Sequence, residues 1–273
     1  MLNTAKLTLL ALWAAAAFGQ LPPMANETIA MIYPPTAQAE KDTSMLLKLI
    51  ASLQTVSFNT TDSSFTMRGP ANLLGLSEWL LHAIDKPAGW QASARDNGDL
   101  VSRQYILTQG GFPIDDKRPV TRIHYFINSD HRDIIETLTV LRTVADVQLT
   151  FACENPAVIA VRGDASMVDL ADWIIGKLDV PANGDAFADQ RQNFAAGVLR
   201  LPKKADGSED FVQTIYLDPS ASQQSLLNLV KTIRSQLNIG PRIFQKTSPP
   251  TIMVRGNAAV LSQVQQIVAS RKP

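Results

Sequence analysis

The chain has 273 residues, of which 45% are hydrophobic and 18% charged, and its 25 Lys and Arg residues balance 25 Asp and Glu residues. A neutral balance gives no electrostatic support for a nucleic-acid partner or an anionic membrane surface. The single cysteine, Cys153, excludes an internal disulfide, so packed cores must stabilise the fold. The length allows more than one such core.

Residues 1–19 have the pattern of a cleavable export signal. Lys6 precedes the apolar run LTLLALWAAAAF, and the small residues Ala17 and Gly19 are spaced for cleavage before Gln20. This run is shorter than the roughly 20 residues that span a bilayer, and no later run reaches that length. We therefore predict a periplasmic or otherwise exported protein with no integral membrane segment after signal removal. An uncleaved N-terminal anchor is the alternative.

Residues 26–88 are the first of three segments with the same predicted order of elements, and we interpret them as module 1. A strand-like run, IAMIY, ends at Tyr33, and a helical stretch, KDTSMLLKLIASL, follows it. Its apolar residues recur at the three- and four-residue spacing of one buried helical face. Two short strands, TVSF and FTM, then lead to Arg68-Gly69 and a second amphipathic helix that ends at IDKP.

The same order returns in residues 120–182 (module 2) and 211–273 (module 3). The Arg-Gly pairs at Arg68, Arg162 and Arg255 are 94 and 93 residues apart, and the strand tyrosines Tyr33, Tyr125 and Tyr216 are 92 and 91 residues apart. Two markers that recur at nearly the same spacing indicate an internal repeat. The sequence therefore predicts an α+β protein of three tandem β-α-β-β-α modules.

Residues 89–119 and 183–210 are rich in Asp, Gly, Asn, Gln and Ala, and we interpret them as linkers. Each contains a small apolar island, YIL at 105 and VLRL at 198, which we expect to add an edge strand to the following module. Asp42, Asp130 and Ser222 stand near the predicted starts of the first helices, where short polar side chains cap free N–H groups.

The three Arg-Gly turns are candidate contact sites. Arg68, Arg162 and Arg255 each precede a helix N-terminus, where backbone N–H groups favour anions. Asp164 and Asn257 would compete for that position as caps, and the alternative is a structural turn with an arginine stem covering the core edge. Trp79 and Trp173 lie at equivalent helix positions; they indicate core or rim packing, or an interface if they are exposed together.

Neither a catalytic nor a metal-binding pattern is found in the sequence, so we predict no cofactor. His124, His131 and Cys153 lie in one module, but their spacing fits neither a Cys-x-x-Cys nor a His-Glu-x-x-His site. We therefore expect Cys153 to be an inert, partly buried thiol. His82 lies late on its helix, where a cation complements the helix dipole.

The unit resembles the N-terminal periplasmic domains of the secretins, the outer-membrane channels of type II and III secretion, type IV pili and filamentous phage export. The resemblance is best for IHYFINSDHRDIIETLTVL followed by NPAVIAVRGDASMVDLADWIIGKLD. It implies a KH-like, ring-packing or protein-binding module without the secretin channel domain. Nucleic-acid binding by a KH-type fold requires a Gly-x-x-Gly loop, which none of the 14 glycines forms.

The prediction from sequence is thus a non-enzymatic assembly protein. We expect it to pack laterally with copies of itself or with a secretion or pilus assembly of the cell envelope. The alternative is a small-ligand-binding or hydrolytic protein with a site between modules, using linker carboxylates such as Asp115, Asp116 and Asp185. A degenerate secretin fragment without an independent role is a third interpretation.

Overall fold

A computed structural model describes residues 29–33, 40–86, 101–109, 112–113, 117–181, 197–202, 206–240 and 242–270. The predicted signal at 1–19 and the carboxylates Asp115, Asp116 and Asp185 lie outside these residues. The order strand, helix, strand, strand, helix occurs three times among the described elements. The α+β class is confirmed, whereas the module boundaries stay predictions.

We call the three sets repeats 1, 2 and 3. Repeat 1 consists of β1 (Ile29–Tyr33), α1 (Glu40–Leu49), β2 (Thr55–Asn59), β3 (Ser64–Gly69) and α2 (Ala71–Ile84). Repeat 2 consists of β7 (Val120–Tyr125), α3 (His131–Thr143), β8 (Thr150–Cys153), β9 (Val158–Gly163) and α4 (Ala165–Leu178). Repeat 3 consists of β11 (Phe211–Tyr216), α5 (Gln223–Leu237), β12 (Ile243–Lys246), β13 (Thr251–Gly256) and α6 (Ala258–Ala269).

Two additional edge strands, β4 (Val101–Ile106) and β10 (Val198–Arg200), pair with the first strands of repeats 2 and 3, which confirms the prediction from the apolar islands. Each repeat forms its own antiparallel sheet, in the orders β1-β3-β2, β4-β7-β9-β8 and β10-β11-β13-β12. Within the range interpreted as a linker, β5 (Thr108–Gln109) and β6 (Phe112–Pro113) also form a small hairpin. The range 89–119 is therefore not a plain linker, because part of it belongs to the sheet of repeat 2.

Short polar residues cap most of the helices. The side chains of Asp130, Asp164, Ser222 and Asn257 each accept a hydrogen bond from the backbone N–H three residues on. The prediction for Asp42 was wrong, because α1 begins at Glu40 and Asp42 lies inside its first turn.

The three strand tyrosines do not all lie at the same register position in their sheets. Tyr125 pairs with Val158 and Tyr216 with Thr251, five residues before the glycine of each Arg-Gly pair. Tyr33 pairs with Phe65, which is only four residues before Gly69. The register therefore places Tyr33 at the position of His124, so its spacing to Tyr125 overstates their structural equivalence.

The glycine of each Arg-Gly pair is required by a close approach of the side chains that follow or face it. A Cβ atom on Gly256 would lie 2.8 Å from Val260 Cγ1, and one on Gly163 would lie 2.9 Å from Met167 Sδ. Both contacts are to the first turn of the following helix. At Gly256 the added atom would also lie 2.9 Å from Val260 Cβ, so a larger residue there would displace the helix.

The hydrophobic cores cross from one repeat to the next. One core joins Leu46 and Leu80 of repeat 1 to Ile123 and Ala160 of repeat 2. The next core joins Val140 and Ile174 of repeat 2 to Val212 and Met253 of repeat 3, whereas a third lies within repeat 3. The sheets of repeats 2 and 3 thus each pack on the helices of the preceding repeat, which buries apolar surface that a domain of about 60 residues could not bury alone.

Candidate functional site: the interfaces between repeats

Arg162 lies at the interface between repeats 1 and 2, which we call the first interface. Its side chain is only 3% exposed. Its Nη1 donates to the carbonyl oxygen of Ile50 at 3.0 Å and to Ser52 Oγ at 3.2 Å, and its Nε donates to the carbonyl oxygen of Arg118 at 3.0 Å. Because Ile50 directly follows α1, the guanidinium fixes the end of that helix against the sheet of repeat 2.

Arg255 makes the corresponding contact at the interface between repeats 2 and 3, the second interface. Its Nη1 donates to the carbonyl oxygens of Val144 and Ala145 at 3.4 and 3.2 Å, directly after α3. Its Nε donates to Asp210 Oδ2 at 2.9 Å. The structure therefore gives both arginines acceptors within the chain, and the helix N-termini that follow them are occupied by the caps Asp164 and Asn257. Arg68 is exposed on the sheet of repeat 1.

Two tyrosines make similar contacts to the backbone of the second helix of the preceding repeat. The Tyr125 hydroxyl donates to the carbonyl oxygen of Ala83 at 2.7 Å, and the Tyr216 hydroxyl donates to that of Lys177 at 2.5 Å. Burial raises the pKa of both phenols. At each interface an arginine on the sheet thus donates to the backbone at the end of the first helix, and a tyrosine on the sheet donates to the backbone of the second helix.

The two tryptophans lie at the rims of the interfaces. Trp79 is partly buried and packs on Tyr105 of β4, with ring centroids 5.6 Å apart. Trp173 is also partly buried, packs against the core shared by repeats 2 and 3, and has Lys177 Nζ 6.0 Å from its ring centroid. These positions agree with rim packing, the structural interpretation made from the sequence.

A buried ion pair at the second interface was not anticipated from the sequence. Lys246 Nζ lies 3.1 Å from Asp133 Oδ1, and the two side chains are 1% and 8% exposed. Burial lowers the pKa of Lys246 and raises that of Asp133, while each partner opposes the shift of the other. Beside the pair, Glu136 accepts hydrogen bonds from the N–H and hydroxyl of Thr247 at 2.6 and 2.8 Å.

A second polar cluster lies inside repeat 2. His124 is fully buried, and its Nδ1 lies 3.0 Å from Asp172 Oδ1, while Arg122 Nη1 donates to Asp172 Oδ2 at 3.1 Å. Burial lowers the pKa of His124, and the neighbouring carboxylate only partly opposes this. His124 Nε2 has no hydrogen-bond partner within the described ranges. Since it is sealed from solvent, this histidine cannot reach a substrate.

The remaining candidate residues are not brought together. His131 is exposed and its Nδ1 lies 3.8 Å from Glu154, while Cys153 is buried at the first interface and burial raises the pKa of its thiol to about 12. His82 lies in the last turn of α2, with Nε2 4.0 Å from Glu78. In the part of the chain that the structure describes, no three His, Cys, Asp or Glu residues form a possible metal site.

An open depression of about 450 Å³ lies on repeat 3 beside the start of α6. Three of its polar side chains have partners: Asn257 caps α6, Asp210 binds Arg255 and Glu209 pairs with Arg200. Ser208 and Arg242 also line the depression. The charged side chains of the depression are thus mainly used in contacts within the chain, and the depression is open rather than an enclosed pocket.

Comparisons with known proteins give little. No protein-family model and no curated protein matches the chain. Among solved structures, ExeD of Aeromonas hydrophila is similar at 11% identity over 89% of this chain, with a TM-score of 0.20. The chain spans 41% of the length of that protein, and so low a TM-score assigns no common fold. Within the described residues, no helix has the length and apolar character needed to cross a membrane.

Proposed function

We propose that this protein is an exported, non-enzymatic assembly protein built of three tandem modules that resemble secretin N-terminal domains. It binds protein partners of the cell envelope, either copies of itself or a secretion or pilus assembly, through the sides of its stack of repeats. It uses no cofactor. The proposal places the protein in the periplasm or another exported location, because residues 1–19 have the pattern of a signal peptide.

The observation that carries the proposal is that the same docking contact occurs twice. At both interfaces a sheet packs on a pair of helices, an arginine donates to the backbone after the first helix, and a tyrosine donates to the backbone of the second. The repeat is therefore a unit that recognises other repeats, with the apolar centre and polar rim of protein–protein interfaces.

The buried polar groups also favour an interaction role over catalysis. Arg162, Arg255 and the pair Asp133–Lys246 hold repeats together, and His124 is sealed inside repeat 2. Side chains of both neighbours fill the space between repeats. The alternative of a hydrolytic site between modules depends on Asp115, Asp116 and Asp185, which the structure does not describe.

The proposal is tested with the chain from residue 20 onward, measured by mass photometry alone and after incubation with cell-envelope extract. We expect either self-association or recovery of a defined envelope protein. A double variant, Met45→Glu with Ile135→Glu, should weaken that binding, because these apolar side chains are 47% and 43% exposed on the sides of α1 and α3.

Gln266→Glu is the matched control, because Gln266 is exposed on the last helix and lies away from those sides. We expect it to leave binding unchanged. A strictly monomeric protein that recovers no partner would contradict the proposal. Turnover of ester, peptide or glycoside reporter substrates by the purified chain would favour the hydrolytic alternative instead.

A further inference from the structure

Two faces of the stack correspond to the docking faces but have no neighbouring repeat among the described residues. The outer sheet face belongs to repeat 1, and the outer helix face belongs to repeat 3. On β2 and β3, the residues of the outer sheet face are Thr55, Ser57, Asn59, Ser64, Thr66 and Arg68; on β1, Ala30 and Ile32 pair with Arg68 and Thr66 and share this face. The residues of the outer helix face are Ser225, Asn228, Thr232, Gln236, Gln263 and Gln266.

The strand register identifies which residues correspond on the sheets. Phe151 pairs with Ala160 in repeat 2, and Phe244 pairs with Met253 in repeat 3. These apolar side chains face the helices of the preceding repeat and belong to the shared cores or pack against them. The corresponding pair in repeat 1 is Ser57 with Thr66. On β2 and β3, the outer sheet face has therefore lost the apolar pair of the docking contact and kept its arginine, Arg68. On β1, Ile32 pairs with Thr66 and holds the position of Ile123, so an apolar residue is kept there.

The helix caps identify the corresponding residues on the first helices. Val140 and Val144 lie 10 and 14 residues after the cap Asp130, and they are 0% and 1% exposed beneath the sheet of repeat 3. At the same distances after the cap Ser222, α5 has Thr232 and Gln236. Two buried apolar residues are thus replaced by polar ones.

The second helices show the same replacement. Leu170 and Trp173 lie 6 and 9 residues after the cap Asp164; Leu170 belongs to the core shared with repeat 3, and Trp173 packs against that core. At these distances after Asn257, α6 has Gln263 and Gln266, which are both exposed.

Polar replacements of this kind prevent docking. The favourable term in sheet-on-helix packing is the burial of apolar area, which the replaced positions no longer supply. Burying their hydroxyl and amide groups without matched hydrogen bonds is unfavourable. Arrays of repeats commonly end in units with a polar outer face, which keep the array soluble.

We infer that the outer sheet face and the outer helix face are caps: they stop the contact that joins the repeats from continuing into a second copy of this chain. Binding between copies, or to another envelope protein, then uses the sides of the stack. The statement that binding uses the sides of the stack rests on the proposed function. The cap inference itself concerns only the two faces and is tested separately.

The first test asks whether the faces meet in the unaltered protein. Lys246 and Asp133 correspond to Asn59 and Ser225, so Asn59→Cys with Ser225→Cys would form disulfide-linked oligomers if copies stacked end to end. Asn59→Cys with Lys231→Cys is the control pair, because Lys231 is exposed on another side of α5. The native thiol of Cys153 is buried and does not interfere. We expect equally few cross-links from both pairs; a ladder from the first pair alone would overturn the inference.

The second test removes the caps one at a time. A sheet variant contains Ser57→Phe and Thr66→Met, and a helix variant contains Thr232→Val, Gln236→Val, Gln263→Leu and Gln266→Trp. Each variant has one opened face, so we expect each alone to keep the association state of the unaltered protein. Their 1:1 mixture should contain about tenfold more dimer than either variant alone, which corresponds to about 1.4 kcal/mol.

Sedimentation velocity of each variant alone and of the 1:1 mixture measures this, and circular dichroism checks that both variants are folded. Folded variants whose mixture shows no added dimer would overturn the inference, because polar residues would then not be what blocks docking. Both tests use purified chain alone. Recovery of an envelope partner therefore stands or falls independently of them.

Discussion

The two interfaces between repeats share a frame of backbone contacts and differ at one buried position. The frame consists of an arginine and a tyrosine that donate to backbone oxygens of the preceding repeat. The position that differs is the last residue of the edge strand. The first interface has the buried thiol of Cys153 there, with the Asp42 carboxylate near it, whereas the second has Lys246, which pairs with Asp133. Contacts to the backbone are possible with any preceding repeat, so this buried position is where side chains distinguish the two interfaces.

The largest expected effect comes from breaking the ion pair. Lys246→Met alone, or Asp133→Leu alone, leaves one buried charge without its partner and should lower the free energy of unfolding by about 3–5 kcal/mol. The double variant should recover most of that loss, because two apolar side chains pack without a charge to compensate. Urea denaturation of the four proteins gives the coupling energy.

A Lys246→Met variant that loses less than about 1 kcal/mol would show that the pair contributes no more than an exposed one. In that case the ion pair would not distinguish the second interface from the first.

The next largest effect tests the shared frame. Arg162→Ala should lower the free energy of unfolding by about 2–3 kcal/mol, because it leaves buried carbonyl oxygens without donors. Arg68→Ala is the matched control at the equivalent, exposed position, and we expect a change within about 0.5 kcal/mol. Equal losses in urea denaturation would contradict the assignment of Arg162 as a docking residue.

The pH dependence of stability tests the buried histidine of repeat 2, which has no counterpart in repeat 3, where Ile215 holds the position. The folded state lowers the pKa of His124 below its usual 6.5, so the unfolded state binds the proton more readily. Stability should therefore fall as the pH drops below 6.5, by at most about 1.4 kcal/mol for each pH unit.

Between pH 6.5 and 5.5, His124→Gln should remove this slope, whereas His131→Gln at the exposed position should keep it. Asp172 faces His124, and its pKa is lowered, mainly by its contacts to His124 and Arg122 acting against burial. The contribution of the Asp172 carboxylate to stability is therefore lost only at a lower pH, where this carboxylate takes up a proton. A wild-type slope that persists in His124→Gln would assign the effect to another group.

The smallest effect compares the tyrosines. Tyr125→Phe and Tyr216→Phe each remove one hydroxyl that donates to a backbone oxygen, and each should cost about 1 kcal/mol. Thermal unfolding should show similar losses for the two variants. Clearly unequal losses of stability would mean that the tyrosine contacts also differ in strength between the two interfaces.

Local patterns in the sequence were enough to predict most elements. The amphipathic spacing, the caps at Asp130 and Ser222, and the edge strands of the islands at 105 and 198 are all found in the structure. Each depends on residues close together in the chain. The equivalence of Tyr33 with Tyr125 failed because a register shift of one residue is invisible in a spacing of 92.

The contacts between repeats could not be predicted in this way. Asp133 and Lys246 are 113 residues apart, and each looks like an ordinary surface charge in its own amphipathic element. Their burial follows only when the sheet of repeat 3 packs on the helices of repeat 2. Arg162 and Arg255 each have a side-chain acceptor, Ser52 and Asp210, but their contacts to the ends of the first helices are to backbone oxygens, which leave no mark in the sequence.

Because the cores cross the repeats, the cooperative unit of folding is larger than the repeat. Repeat 2 cut out alone would expose Phe151 and Ala160 on its sheet and Val140 and Ile174 on its helices, surfaces that its neighbours normally cover. Such a fragment has the composition of a domain but the surface of an aggregation-prone intermediate. The chain is therefore expected to unfold in units of at least two repeats, whatever divisions its periodic sequence suggests.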